Sequence, residues 1–220
     1  MFLIKFSKMH IRFIGYASIL CALVFSTSSF AHPHSWVSTN SVLNVKDGKI
    51  VSISMDWSFD PMTTAYTFAG QRITPQNRKE VFHKLQGDIL ENLLYKHYFT
   101  YFYTKDEPIR YKQVDIGEIS MIGPRMRLQF ELELAEPVSL DTPDLSLFIF
   151  DPTYYIDMSW DKRAEVSFSD NYQGNCHIKV IEPKPTSEQI AYAMSLAVDS
   201  DPDDELGKLF TQKAVIDCDK

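Results

Sequence analysis

Two histidines separated by one proline, His32-Pro33-His34, are the residues best equipped for chemistry in this chain. Imidazole is a good ligand for zinc, nickel, cobalt and copper(II). The sequence upstream adds to their interest. Residues 1–31 hold Lys5, Lys8 and Arg12 and no acid, then an apolar run over 13–25 and a small-x-small sequence at Ser29-Phe30-Ala31. This is the layout of a Sec-type signal peptide, with an apolar stretch too short to span a bilayer. Cleavage after Ala31 makes His32 the first residue and puts its free α-amine beside both rings. With an ordinary pKa of about 8, that amine is freed for a metal at little cost near neutrality. The square-planar amino-terminal copper or nickel site is closed, because it needs a deprotonated amide at residue two and Pro33 has no N–H. The remaining modes are chelation by the His32 amine and ring, or both rings meeting at one ion. Each leaves coordination positions to be filled from elsewhere in the fold.

The other candidate ligands are scattered. Asp60 and Asp151 each end an apolar run and precede a proline, in Phe59-Asp60-Pro61 and Phe150-Asp151-Pro152. Loops of a sandwich gather at such strand ends, so either carboxylate could complete a histidine site; turn formation with the proline is the alternative role. His177 follows Cys176 on a candidate strand and is a further possible ligand. Asp157 and Asp161 flank Met158-Ser159-Trp160 and rank below these. His83 falls on the polar face of a helix, and His97 sits among Tyr95, Tyr98 and Phe99 as an expected half-buried ring. Cys176 and Cys218 are the cysteines left once Cys21 departs with the signal. In an oxidising compartment they are expected to form a disulfide. The acidic stretch at 199–205 begins like a calcium loop but has Asp204 where that loop needs glycine and Phe210 where it needs its bidentate Glu. No nucleophile elbow, P-loop, HExxH or dinucleotide fingerprint is present, so the chain is not expected to be an enzyme.

Strands must position most of these residues. Val51, Ile53, Met55, Trp57 and Phe59 alternate with polar residues after an Asp47-Gly48 hairpin signal. Met126, Leu128, Phe130, Leu132 and Leu134 alternate in the same way. The continuous apolar run at 145–150 fits a strand buried on both faces. Shorter candidates fall at 158–160, 164–168, 176–181 and 213–216. Helix signals occupy the middle. Pro61 opens a short helix, and a longer one begins near Thr74-Pro75 with Val81, Leu85, Ile89 and Leu93 at spacing four. Residues 186–198 read as a C-terminal helix. The fold class expected is α+β, mainly β: an antiparallel β-sandwich with a helical insertion and a C-terminal helix, in one domain over 32–220.

Composition narrows the function. Removing the signal takes three of 22 basic side chains and none of the 29 acidic ones, moving the net charge from −7 to −10. A nucleic-acid binder with a basic face is excluded, no membrane span remains after cleavage, and 45% hydrophobic residues argue against disorder.

Taken together, Ala31 followed by His-Pro-His-Ser-Trp-Val, the Trp57-Ser-Phe-Asp60-Pro61 strand end, Tyr98-Phe-Thr-Tyr101, Phe150-Asp-Pro-Thr-Tyr-Tyr155, the Cys176 strand and the stretch from Leu206-Gly207 to Cys218 resemble the DUF1007 family of bacterial periplasmic proteins. The resemblance covers essentially the whole mature chain. It implies a periplasmic component of a metal-type transport system, working beside an inner-membrane metal transporter, with His32 and His34 as ligands. Many members carry a calcium-like loop before the central helix; Gln71-Arg-Ile-Thr74 stands there instead, so that site is not carried over. The expected cargo is Zn, Ni or Co, with Cu ranked lower. Two rivals stay open. One is a copper-dependent oxidative enzyme built on an N-terminal histidine, with His34, His97 or His177 as its second ring. The other is a metal-free periplasmic module that binds a protein partner.

Overall fold

Five apolar side chains at period two give the longest strand its buried face. In β6 (Arg125–Ser139), Met126, Leu128, Phe130, Leu132 and Leu134 are all buried. Burying a side chain of this size stabilises by about 1.5–3 kcal/mol relative to exposure. The structure, a computed structural model, describes residues 33–105, 107–161, 166–197, 200, 202 and 205–218. His32 and the expected signal peptide lie outside the described residues, as does most of the acidic stretch at 199–205.

β6 lies between β2 (Lys49–Phe59) and β5 (Gly117–Ile122), antiparallel to both. β2 returns to β1 (Ser35–Lys46) through the expected hairpin, where Lys46 pairs with Lys49 and the turn residues Asp47 and Gly48 have φ of 51° and 69°. These are the dihedrals of the two-residue turn whose twist matches its flanking strands. The other side of β1 is parallel: β8 (Ile156–Trp160) and the short β9 (Ser167–Phe168) both pair with it. The first sheet is therefore mixed, in order β5-β6-β2-β1-β8, with β9 beside β1. The second is antiparallel, in order β10 (Cys176–Ile181), β11 (Lys213–Cys218), β7 (Leu145–Ile149), β3 (Thr100–Thr104) and β4 (Glu107–Ile109). Their inner faces share one core, including Leu43, Ile53 and Leu132 from the first sheet and Phe102, Leu147 and Ala214 from the second. The α+β, mainly β sandwich is thus the observed architecture.

Among the described residues, four α-helices decorate it: α1 (Pro61–Thr67), α2 (Arg78–Leu94), α3 (Ser187–Ser195) and α4 (Leu206–Phe210). α2 starts three residues later than the Thr74-Pro75 signal suggests. The Asn77 side chain turns back to accept from the Thr74 amide at 2.7 Å, tying 74–77 into a closed turn before the helix begins. Its stripe packs on β5, where Gly117 leaves room: a Cβ there would lie 2.8 Å from the Gln129 carbonyl oxygen and 3.2 Å from Leu90. α3 begins with a full capping box between Thr186 and Gln189. One alternation is shifted. The β2–β6 register slips between Ile50 and Ser52, so Ile50 is fully buried and Val51 only half-buried. The bulge inverts the facing that an uninterrupted strand would give.

Candidate functional site

The described chain begins at the start of β1, between β2 and β8 in the first sheet, and two aspartates fix it there. Asp60 leaves β2 and caps α1, accepting from the amides of Met62 at 2.8 Å and Thr63 at 3.0 Å. Its other oxygen accepts from the Trp36 amide at 3.1 Å and from the Thr63 hydroxyl, which also lies 2.8 Å from Ser35 Oγ. The Asp60 amide returns a bond to the Trp36 carbonyl at 3.0 Å. Burial pushes this carboxyl up, but the bonds from Thr63, Trp36 and Met62 outweigh it and hold it below its ordinary value.

Asp151 repeats the device after β7. It accepts from the Thr153 amide at 3.1 Å, the Thr153 hydroxyl at 3.0 Å and the Ile156 amide at 3.1 Å. Ile156 is the first residue of β8 and pairs with Ser35, the first of β1. The two Phe-Asp-Pro sequences therefore play matching parts: each aspartate closes the turn after its own strand and reaches across to the amide of a strand that starts at this corner.

The His34 amide donates to the Tyr155 carbonyl at 2.9 Å, extending the β1–β8 pairing upstream, and its ring lies 4.8 Å from the Tyr155 ring. Two residues on, Trp36 and Asp157 are paired and share a face of the sheet. Burial pushes the Asp157 carboxyl above its usual range. Beside it the Tyr154 phenol, stacked 4.2 Å from the Phe210 ring, is pushed up to about 12 by burial and by the Asp157 charge. The corner thus offers an imidazole, a desolvated carboxyl and two phenols, flanked by the exposed Trp36 ring.

The expected site residues divide accordingly. His34, Asp60 and Asp151 meet at this corner, but both aspartates are engaged as braces. His177 stands exposed on β10, an edge strand of the other sheet, 3.8 Å from Asp217. His83 is exposed as expected, and His97 is exposed rather than half-buried. Among the described residues no three His, Cys, Asp or Glu side chains converge closely enough to hold an ion. Cys176 and Cys218 are joined in a disulfide between paired positions of β10 and β11. Asp157 gains most standing from the structure. Its place beside Trp36 depends on a parallel pairing between distant segments, which no local pattern announces.

A two-sheet sandwich with one mixed sheet, whose first strand is moored by paired Asp-Pro corners, defines the class of protein. The chain belongs to the DUF1007 family, described as a protein of unknown function, which matches residues 17–218. An uncharacterized protein of Haemophilus influenzae (strain Rd) is 31% identical over 207 residues, covering 92% of this chain and 98% of that relative. Among the described residues, no helix is long and apolar enough to cross a membrane.

Proposed function

We propose that this chain is an exported, periplasmic metal-binding accessory protein. It takes a divalent transition-metal ion, Zn, Ni or Co, on His32 and His34 and buffers or delivers it for an inner-membrane transporter. The observation that carries the reading is the mooring of His34. Its backbone is held in the β1–β8 ladder and its ring against Tyr155, so the second ring of the His-Pro-His pair has a fixed base at the end of that ladder. Asp157 is the nearby carboxyl not used as a brace. The metal here is cargo, and a two-histidine site with open positions suits an ion that must be handed on, whereas a closed four-ligand site suits a structural one. The net negative charge favours cation capture in a general way.

The test is titration calorimetry of the exported, mass-verified protein with Zn, Ni, Co and Cu(II), beside a His32→Ala/His34→Ala variant. One-to-one binding that weakens at least ~10-fold in the variant, with the thermal midpoint unchanged, supports the reading. Equal binding in both proteins, or none in either with His32 verified as the first residue, removes it.

A further inference from the structure

Among the described residues β5 is an end strand of the first sheet, paired with β6 alone. In an antiparallel ladder alternate residues turn both backbone groups away from their partner strand. Gly117 is one of these. With its carboxamide oriented to satisfy both groups, the buried Gln86 side chain of α2 accepts from the Gly117 amide at 3.3 Å and donates to the Gly117 carbonyl at 3.1 Å. The helix thus closes the first outward position of the edge with a side chain that copies a strand. Two and four residues on, Ile119 and Met121 turn the same way, and no backbone or side-chain partner meets their outward groups among the described residues.

Beside them α2 and β5 border a groove of about 610 Å³. Arg78, Lys79, Phe82 and His83 stand on its helix wall, and Ile119 and Met121 on its strand wall. Natural sheets protect such an edge with lysine, proline, a bulge or a covering element. β5, Gly-Glu-Ile-Ser-Met-Ile, has no lysine, proline or bulge, and Met121, Ile122 and the preceding Ile116 are exposed. The helix wall carries one sign of charge. Arg78 and Lys79 are exposed there, and neither takes part in an ion pair among the described residues. Glu118, the carboxylate among the lining residues, falls on the other face of the strand from Ile119 and acts on Arg127.

We propose that this groove takes an extended acidic segment of a partner protein, which adds to the first sheet as a strand beside β5. Main-chain bonds at Ile119 and Met121 hold it, its apolar side chains lie against Phe82 and Met121, and its carboxylates face Arg78 and Lys79. A second copy of this chain is a poorer occupant, because its β5 brings one carboxylate, Glu118, and a further basic wall with it. The groove lies at the opposite end of the first sheet from β8 and the histidine corner, and does not rest on the metal reading.

The probe is a fluorescein-labelled peptide, Asp-Thr-Val-Thr-Glu-Thr-Val, followed by anisotropy. Saturable one-to-one binding is expected, at least ~10-fold weaker for the same peptide with Lys in place of Asp and Glu. N-methylation separates a ladder from a charge effect. A peptide methylated on its central Val and Glu amides and one methylated on two Thr amides should differ by roughly 10-fold or more, since a strand turns one alternate set to β5 and the other to solvent. In the protein, Met121→Pro removes an outward N–H at an edge position that tolerates proline, and should weaken binding roughly 10-fold with the β6 pairing intact. Arg78→Glu/Lys79→Glu should reverse the preference between the acidic and lysine peptides, and circular-dichroism melts check that both variants fold. The proposal fails if no saturable binding appears up to about 1 mM, or if the two N-methylated peptides bind alike. It fails equally if both folded variants bind as wild type does. Sedimentation showing a dimer of the free protein that Met121→Pro dissolves would give the edge to a second copy and overturn it.

Discussion

Replacing Asp60 by alanine separates a brace from a ligand. The side chain accepts from three backbone amides and one hydroxyl, joining the start of β1 to the first turn of α1. Losing the helix cap costs about 1 kcal/mol. The Trp36 amide, left without its partner, adds about 1–3 kcal/mol. The sum is about 2–4 kcal/mol, which for a domain of this size lowers the thermal midpoint by about 4–16 °C. The pH dependence has a definite sign. Because the folded carboxyl is held below its ordinary value of 3.8, its contribution is fully present above that value and is lost as pH falls through the lower folded value. Wild type should therefore lose stability on this account at pH below about 4, and Asp60→Ala should lack that part of the acid limb. Circular-dichroism melts at neutral pH and down to about pH 2.5 read both effects. A variant melting within ~2 °C of wild type with an unaltered acid limb would refute the brace and release Asp60 for ligation.

Further expectations follow from the same geometry. The disulfide closes a loop of 42 residues, which on the loop-entropy model stabilises by about 4 kcal/mol; Cys176→Ser/Cys218→Ser should melt about 8–16 °C lower, and a loss under ~3 °C would contradict it. At Gly207 a Cβ would lie 1.8 Å from the Asp151 carbonyl oxygen. Gly207→Ala should cost about 3 kcal/mol or more in urea unfolding and broaden signals around Asp151; a neutral substitution would show that α4 is not seated there. Asp157→Asn removes a carboxyl that burial has raised. The variant should be more stable than wild type at neutral pH, with the gain vanishing in acid where both forms are uncharged, and a lower midpoint at neutral pH would reveal a partner for that charge.

What the sequence made legible was governed by short-range physics. β6 and most of β2 followed from alternation, the hairpin from Asp47-Gly48, and the disulfide from there being two cysteines beyond residue 31. The rest depended on distant partners. β8 joins β1 in parallel across 120 residues, so neither the mixed sheet nor the neighbourhood of His34 and Asp157 could be read locally. The bulge at Ile50–Ser52 inverts one residue within an otherwise correct pattern. The left-handed turn at 97–99 contains no glycine or asparagine to signal it, and tertiary packing must impose it. The aspartates at 60 and 151 were recognisable as strand-end residues, but their reach to Trp36 and Ile156 required the assembled corner.

The place of β11 has a consequence for how the chain matures. It lies inside the second sheet, between β10 and β7, although it follows both in the chain. During synthesis, this sheet stays divided until residues 213–218 have emerged. β10 then lacks its ladder partner, and β7 presents an open edge on the side away from β3. Unpaired strand edges invite pairing with other chains. The interval before β11 docks is therefore the stage at which a holding chaperone would matter most, and Cys176 and Cys218 come directly opposite one another in the ladder when that interval ends.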